Sequence, residues 1–595
     1  MSGDNFHPKK KGPRWKTSIG KHKPIVAGLI IALVAIAGII SGVVLFLGEE
    51  GETTFIMGGY YPNPAVGQVY ALEFIDPLQT VILDGDPFIL KQIAETLFTE
   101  KWTGNYYDNV PHLVEEYEWN DPENPTELTC TLRKGIKFHD GTPLNATAVK
   151  WNFDRLQRLL NSTDFIYPYV WYHADGTLIL NETIVPSEYT VKFVLNKPYV
   201  SFIALLTFPH TSIVSPRSTP ENRVLNVLNE TLIGTGPYIY ESNVIHWEKP
   251  YLNTTTTLIA NHNYWGRPKP TIDKFIFLSA NITYSNELFL SGKTDYAIGS
   301  DLYLEDYHNN PRIIVDEYVG REISYVNINN KKIDTPMRKA ISYALNYTAL
   351  LEVYAKCVMR PVERAKSPLS KGTLYANWED FDVPIYDVQT ARQALLDAEW
   401  PGTTGLTADD NINLGNEWEE IANSTNPLGT YNYSISYSLV DLLGPELIDF
   451  WILTLKENLE QIGVKMEFIF MTIVDFYETL TETDMSALLW YPDFNDPCNN
   501  IDPWFSTEVD GWNNNQHTND SLVQQWIEEG LVETNPVVRE QIYYNIQKRL
   551  IEEVYPVAWI CSNIYYDIYR SNLRGWQERG REAGSLRYLY FKNKL

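Results

Sequence analysis

Apolar residues recur at spacings of three and four along several segments, a pattern that predicts helices with one buried face. Such segments lie at 148–160, 336–354, 389–399, 448–462 and 537–553. Shorter apolar or alternating runs predict strands, at 127–132, 135–139, 188–195, 274–278, 324–328, 465–470 and 557–560. Helices that alternate with short strands indicate an α/β fold.

The clearest local signal surrounds the first of these helices. Asp140-Gly141 predicts a tight turn after the strand at 135–139. Asn145 is a favourable N-cap for the helix, and Leu144 can pack onto Val149 as a hydrophobic staple. A turn followed at once by a capped helix is therefore expected here.

Residues 25–47 read IVAGLIIALVAIAGIISGVVLFL and contain no charge. A helix needs about 20 apolar residues to cross a bilayer, and the apolar part of a cleaved signal peptide is normally about 7–15 residues long. We therefore expect a retained transmembrane anchor. The basic tail 1–24 is expected in the cytoplasm, and a linker at 48–54 leads to an extracellular body. The predicted location is the cell membrane, with a single pass.

Composition narrows the class of protein. With 44% hydrophobic and 21% charged residues, the chain is expected to fold rather than remain disordered. Its 48 Lys and Arg against 75 Asp and Glu give a net charge of −27, and without the basic tail the charge is −33. A surface this acidic repels phosphate backbones, so nucleic-acid binding is not expected.

Four cysteines, Cys130, Cys357, Cys498 and Cys561, are too few for a disulfide scaffold and form no C-x-x-C pair. One or two bridges and buried free thiols both remain open. N-x-S/T sequons follow the apolar segment and would suit a glycoprotein, at Asn145, Asn161, Asn181, Asn229, Asn253, Asn281, Asn346, Asn423, Asn432 and Asn519.

A search for catalytic motifs finds none. The Gly292-Lys293-Thr294 stretch lacks a P-loop because Glu287 stands where glycine is required. H-E-x-x-H, G-x-S-x-G and dinucleotide fingerprints do not occur. We therefore expect no enzyme, no cofactor and no metal site, although an acidic chain always holds enough carboxylates for a hydrolase.

Residues 127–155 read ELTCTLRKGIKFHDGTPLNATAVKWNFDR. This stretch resembles the signature of extracytoplasmic solute-binding protein family 5, the peptide- and oligopeptide-binding components of ABC transporters. Other landmarks follow the family's order: FIDP at 74–77, ETLF at 95–98, GTGPY at 234–238, NYWG at 263–266, SGKTD at 291–295 and MRKAISYAL at 337–345. Asn346 and Glu399-Trp400 depart from the family pattern.

The resemblance implies a two-lobe, periplasmic-binding-protein-like (type II) α/β fold that closes by a hinge around its ligand. An extra subdomain is inserted in the first lobe, and here one N-terminal transmembrane helix precedes the fold. The implied first lobe is 55–105 plus 230–320 plus 565–595, the inserted subdomain is 106–229 and the second lobe is 321–564.

The stretch 489–497, LWYPDFNDP, is similar to the W-x-x-D-x-x-[DE]-P segment of peptide-binding members. The resemblance implies that Asp493 pairs with the ligand's α-amino group and that Trp490 walls a side-chain pocket, with Tyr491 as a further wall. Asp493 could instead be a turn or capping residue, and Trp490 a core residue at a strand end.

Asp84 and Asp86 lie where peptide-binding relatives contact the ligand backbone from the first lobe. A solvated acidic turn is the alternative interpretation. His139 and Asp140 are expected to be structural, because they sit at a hairpin turn.

The predicted function is a membrane-anchored, extracellular and monomeric receptor that captures peptides and delivers them to ABC transporter permease subunits. One alternative keeps the fold with oligosaccharides or metal chelates as the solute. Another is a sensor or adhesion receptor without a coupled permease.

Overall fold

The structure is a computed structural model that describes residues 52–59, 76–79, 86–162, 168–225, 230–246, 252–298, 303–358, 360–409, 416–437, 445–507, 514–576 and 585–592. The strands in these ranges are β1 (Thr54–Gly59), β2 (Phe98–Trp102), β3 (Tyr107–Pro111), β4 (Val114–Trp119), β5 (Glu127–Leu132), β6 (Leu180–Ser187), β7 (Thr190–Leu195), β8 (Tyr238–Ile245), β9 (Leu252–Ala260), β10 (Lys274–Ala280), β11 (Tyr296–Ile298), β12 (Ile313–Val319), β13 (Ile323–Ile328), β14 (Val362–Arg364), β15 (Gly429–Ser436), β16 (Val464–Met471), β17 (Met485–Trp490), β18 (Val557–Arg570), β19 (Leu573–Arg574) and β20 (Tyr590–Phe591).

The α-helices in the same ranges are α1 (Asp86–Ile93), α2 (Ala146–Leu159), α3 (Phe202–Leu205), α4 (Ile282–Leu290), α5 (Leu304–His308), α6 (Thr335–Ala344), α7 (Tyr347–Val358), α8 (Val388–Asp397), α9 (Glu417–Ala422), α10 (Pro445–Glu460), α11 (Ile473–Glu478), α12 (Pro497–Phe505), α13 (Ser521–Val532) and α14 (Pro536–Arg549).

One mixed sheet of 12 strands runs through the molecule in the order β16-β15-β17-β13-β18-β11-β1-β10-β9-β8, with β12 and β14 also paired to β18. The long strand β18 is shared between two halves of this sheet. Its residues 557–561 pair with β13, and its residues 564–570 pair with β12. The two halves are therefore joined by one continuous strand.

A second connection between the halves is the short link from β12 to β13. The Gly320 amide donates to the Asn563 carbonyl at 2.8 Å, which ties this link to β18. A Cβ atom on Gly320 would lie 2.4 Å from both Glu322 Oε2 and a ring carbon of Tyr565. Any larger residue at position 320 would require the side chains of Glu322 and Tyr565 to move.

A smaller sheet in the order β4-β5-β7-β6 lies outside the large one and packs against α2. Its apolar residues, such as Leu128 and Phe193, belong to the same buried cluster as Ile501 and Tyr543 from the C-terminal part of the chain. The small sheet therefore shares its core with α12 and α14.

Several predicted elements are confirmed. β5 has the predicted bounds, and the Asn145 side chain caps α2 by accepting the Ala148 N–H at 3.0 Å. Leu144 and Val149 are both fully buried. The helix predicted at 336–354 is two helices, because Asn346 caps the second one by accepting the Ala349 N–H at 3.1 Å.

The strand predicted at 135–139 is wrong. Gly135 has a φ of 81°, which breaks the extended conformation, and a single bridge from Lys137 to Pro143 is the pairing that forms. Cys130, Cys498 and Cys561 are buried free thiols, one of the two alternatives that the sequence left open, while the Cys357 side chain lies outside the described part of the chain.

The predicted localisation requires correction. Among the described residues, no helix combines the length and apolar character needed to cross a membrane. A single-pass location in the cell membrane is therefore not supported and is not carried further. The segment 25–47, on which that prediction depended, lies outside the described residues.

Candidate functional site

The end of β17 and the loop after it carry three of the predicted binding residues. Trp490, the last residue of β17, lies opposite Ile323, the first residue of β13. The chain then enters α12, where the Asp496 carboxylate caps the helix by accepting the Cys498 N–H at 2.9 Å. A paired strand and a capped helix thus fix the two ends of the 491–496 loop.

Asp493 lies inside this loop and is 7% exposed. The Tyr169 hydroxyl donates to its Oδ1 at 3.2 Å, and Asn499 Nδ2 donates to its Oδ2 at 3.4 Å. The Asp493 backbone N–H donates in turn to Asn499 Oδ1 at 2.6 Å. Asn499 therefore holds both the loop and its carboxylate, while Tyr169 reaches the carboxylate from the segment before β6.

The Asp493 carboxylate has no cationic partner among the described residues. Burial raises its pKa to about 7, and the hydrogen bonds from Asn499 and Tyr169 oppose this rise. An ionised carboxylate away from water is stable only when a positive group pairs with it. The loop therefore presents a buried acceptor suited to a cationic donor.

Asp496, in the same loop, has the opposite electrostatics. The two terminal nitrogens of Arg539 lie 2.8 and 2.9 Å from its carboxylate oxygens, and the Ser201 hydroxyl donates at 2.9 Å. Burial alone would raise the pKa of Asp496, but the neighbouring guanidinium more than offsets this and holds it below its usual range. Asp496 is thus a fully compensated ion-pair partner, unlike Asp493.

Aromatic rings flank the loop on the side of the sheet. Trp490 is half-buried and meets Trp504 edge to face, with ring centroids 4.9 Å apart. Tyr325 contacts Trp504 in the same manner at 5.4 Å. These three rings line a cavity of about 10 Å³, which is room for about one water molecule. Trp490 therefore packs as a core residue at the end of its strand, and its role as the wall of a ligand pocket stays a prediction.

Tyr491 points toward a buried ion pair. The guanidinium of Arg321 lies 5.7 Å from the Tyr491 ring centroid and 5.2 Å from that of Tyr107. The same guanidinium donates to Glu100 at 3.0 Å. The ring of Tyr491 thus helps to position a charged pair.

Hydrogen bonds hold the loop against the hairpin β2–β3. Asn495 Nδ2 donates to the Tyr107 carbonyl at 2.7 Å, and Asn109 Nδ2 donates to the Asn495 carbonyl at 2.9 Å. Together with the contact from Arg321 to Glu100, these bonds join residues that are far apart in sequence. The loop is therefore fixed from both sides.

A second buried carboxylate, Glu95, explains several of the sequence landmarks. It accepts hydrogen bonds from Thr235, Tyr264 and Trp265 at 2.8, 2.5 and 2.8 Å, and His112 Nε2 lies 2.8 Å away. Burial would raise the pKa of Glu95, but His112 and these donors lower it. The ETLF, GTGPY and NYWG landmarks therefore meet at one structural centre.

The chain matches the model of a family described as bacterial extracellular solute-binding proteins, family 5 (middle), over residues 108–435, more than half of its length. This chain belongs to that family. It is 23% identical over 447 residues to the "probable D,D-dipeptide-binding periplasmic protein DdpA" of Escherichia coli (strain K12), across 73% of this chain and 76% of that protein. It is 26% identical over 295 residues to the glutathione-binding protein GsiB of Salmonella typhimurium, across 49% of this chain and 53% of that protein, about half of its length.

Solved structures share the fold of this family 5 protein. The Helicobacter pylori periplasmic binding protein DppA, in complex with the peptide STSA, has a TM-score of 0.64 and 18% identity, across 92% of this chain and 99% of that one. HbpA2 from Haemophilus parasuis has a TM-score of 0.70 and 19% identity, across 91% and 100%. These likenesses confirm the two-lobe, periplasmic-binding-protein-like α/β fold.

Trp490 thus ends β17 of this family 5 protein, and Tyr491 and Asp493 lie in the loop that follows, but the role of all three in binding stays a prediction. Asp84 lies outside the described residues. Asp86 is the first residue of α1, and its side chain is not described. The predicted contribution from the first lobe is therefore untested.

His139 and Asp140 make the structural contacts expected of them. His139 Nε2 lies 3.0 Å from the Gly236 carbonyl. The Asp140 carboxylate accepts hydrogen bonds from Ser215 at 2.5 Å and Ser218 at 2.8 Å, and the pKa of Asp140 is lowered to about 2 by its hydrogen bonds, although burial opposes this. Both side chains fix the turn before α2.

Four residues of the site escaped the sequence analysis: Tyr169, Asn499, Arg321 and Glu100. Tyr169 and Asp493 are 324 positions apart, and Glu100 and Arg321 are 221 apart, so no local pattern links them. Asn499 is closer, in the first turns of α12. A polar residue on a helix that directly follows the candidate loop was the one available signal.

Proposed function

We propose that this family 5 protein is the solute receptor of an ABC importer and that it captures peptides with a free amino terminus. Two relatives support the peptide class through their names, one a D,D-dipeptide-binding protein and one a glutathione-binding protein. The Helicobacter pylori structure of the same fold holds the peptide STSA. On this proposal the protein binds and releases its ligand without changing it, and a permease is its partner.

The observation that carries the proposal is the uncompensated carboxylate of Asp493. A peptide's ammonium group that enters a closed site needs a charged acceptor, because an unpaired buried charge costs several kcal/mol. Asp493 is buried, is held by Tyr169 and Asn499, and has no cationic partner among the described residues. An ammonium group would complete this site as Arg539 completes that of Asp496.

The other predicted residues have supporting roles in this proposal. Trp490 and Tyr491 would supply rigid aromatic walls for the ligand. Asp84 and Asp86 would contact the ligand backbone from the first lobe. The remaining backbone of a peptide can be held by main-chain hydrogen bonds, which do not read its side chains.

The domain division also remains a proposal: a first lobe of 55–105, 230–320 and 565–595, an inserted subdomain of 106–229 and a second lobe of 321–564. Two of its boundaries fall at Gly320 and in the middle of β18, where the chain passes between the halves of the sheet. These two crossings suit a hinge.

Binding of matched peptides tests the proposal. Ligand-free protein, prepared by unfolding and refolding, is titrated with trialanine, tetra-alanine and their N-acetylated forms. We expect binding of the free peptides and at least about tenfold weaker binding of the acetylated ones. Asp493→Asn should weaken the free peptides far more than the acetylated ones, whereas Asp449→Asn, a matched change at an exposed position of α10, should change neither. Equal weakening of both peptide forms by Asp493→Asn contradicts the ammonium site.

A further inference from the structure

A separate cleft of about 600 Å³ lies beside the hairpin β2–β3, between α1 and residues 585–588. Its volume is in the range of small-molecule sites, about 300–1,000 Å³. The charged residues that line it are Lys91, Glu95, Glu100, Lys101, His112 and Arg587. Asp493, Trp490 and Tyr491 are not among its lining residues.

The two acids of this cleft already have partners within the protein. Glu95 receives the four contacts of the structural centre described above. Glu100 pairs with Arg321 at 3.0 Å and with Lys91 at 3.8 Å. Both carboxylates thus have cationic or hydrogen-bond partners, although the buried Glu100 Oε2 has Lys91 at 3.8 Å as its nearest cation and accepts no hydrogen bond among the described residues.

Two of the cations form no salt bridge with an acid in the described part of the chain, although the Tyr264 hydroxyl links Arg587 to Glu95 and the two charges attract each other. Arg587 donates to the hydroxyls of Tyr264 and Tyr588, the latter at 2.7 Å, and its buried Nε has no partner. Lys101 is exposed and makes no ion pair, even with its cross-strand neighbour Asp108. Unpaired cations facing a cleft stand out in a body whose net charge is −33.

We infer that this cleft binds a small ligand through an oxyanion, a carboxylate or phosphate group, held by Arg587 and Lys101. A guanidinium offers planar, paired donors that match either group, and a lysine adds a compact charge. The rings of Tyr264 and Tyr588 lie 5.4 and 4.8 Å from the Arg587 guanidinium and keep it in place. The inference uses none of the residues assigned to the peptide ammonium.

Calorimetric titration of the full-length protein with sodium phosphate and with sodium citrate tests this inference, with sodium chloride at equal ionic strength as the blank. We expect saturable binding of at least one of the two anions. The double variant Lys101→Gln/Arg587→Gln should weaken that binding about tenfold or more. Lys137→Gln, a matched change at an exposed lysine, should leave it unchanged. The absence of saturable binding, or equal binding by the double variant, overturns the inference.

Two further arms keep the result interpretable. Lys101→Gln alone changes an exposed side chain, so it should weaken anion binding without loss of fold. Arg587→Lys keeps the positive charge and should retain more affinity for the anion than Arg587→Gln. If neither result is obtained, the inference is overturned. Titration with trialanine and trialanine amide identifies the source of the oxyanion. If the double variant loses binding of trialanine but not of the amide, the oxyanion is a peptide's carboxyl terminus. If the double variant binds both peptides as the wild type does, the oxyanion is a free anion. Asp493→Asn should leave phosphate binding intact, so this site and the ammonium site fail separately.

Discussion

Replacing Asp493 by asparagine should make the ligand-free protein more stable at neutral pH while impairing binding. The pKa of this buried carboxyl is raised to about 7, against about 3.9 in an unfolded chain. At pH 4 and below the group is protonated in the folded state and about half protonated or more in the unfolded state, so its effect on stability is small. As the pH rises toward 8, the unfolded chain ionises first, so this carboxyl progressively lowers the free energy of unfolding.

The size of the effect follows from the same two values. One pKa unit corresponds to about 1.36 kcal/mol, so the difference between folded and unfolded states amounts to about 4 kcal/mol once both are ionised. Asparagine has the size of a protonated aspartate and carries no charge. The free energy of unfolding of Asp493→Asn should therefore exceed that of the wild type by up to about 4 kcal/mol at pH 8, and by nearly nothing at pH 4.

Urea unfolding of ligand-free protein at a series of pH values between 4 and 8 measures this difference. Asp496→Asn is the informative control, because it leaves Arg539 buried without its partner and should lose about 3–5 kcal/mol. The two substitutions lie in one loop, yet Asp493→Asn should raise the free energy of unfolding and Asp496→Asn should lower it. A general effect of changing the loop would not give opposite signs. The prediction fails if Asp493→Asn is no more stable than the wild type at pH 8, or if the difference in their free energies of unfolding does not change with pH. In either case the Asp493 carboxylate is not the destabilising, unpaired charge described above.

Three other outcomes are expected. Binding of a free peptide at pH 6 should release protons, because the ammonium lowers the pKa of Asp493; calorimetry in buffers of different ionisation enthalpy detects this release, and Asp493→Asn should abolish it. Gly234→Ala should destabilise the protein by about 1–3 kcal/mol or more, as measured by urea unfolding, because its Cβ would lie 2.1 Å from the Ile93 carbonyl oxygen; a wild-type midpoint would contradict the packing. The thiols of Cys130 and Cys561, whose pKa burial raises, should resist a thiol reagent in the folded protein and react after unfolding, and rapid labelling of the native protein would contradict their burial.

Local sequence patterns predicted an element well where residues within or next to that element fix its ends. The capped helix α2 and the alternating strand β5 are examples, because side-chain capping and period-two burial act within a few residues. β18 was predicted to end at residue 560 but continues to Arg570. Asp567 interrupts its apolar pattern, yet it is fully buried and accepts the Tyr296 hydroxyl at 2.5 Å and the Trp576 indole N–H at 3.0 Å. A polar residue satisfied by distant partners hides a strand from sequence analysis.

Part of the candidate site could likewise be predicted from the sequence, and part depends on contacts between distant residues. The resemblance of 489–497 to a family segment pointed to Asp493, but the features that make it a site are its lack of a cation and its contact with Tyr169. Both depend on which elements meet in the folded chain. Asp493 and Asp496 look alike in sequence, and Arg539, more than 40 residues away, is what separates their roles.

β18 follows all four of its partner strands along the chain, and this order has a consequence for biogenesis. During synthesis at about 5–20 residues per second, the other main strands emerge up to roughly two minutes before it. Until then β11 and β12 lack their shared partner in one half of the sheet, and β13 and β14 lack theirs in the other. Neither half can finish folding ahead of the other, so the nascent chain remains incompletely paired until β18 has been synthesised. A chaperone that shields open strand edges over this interval would therefore act on both lobes at once.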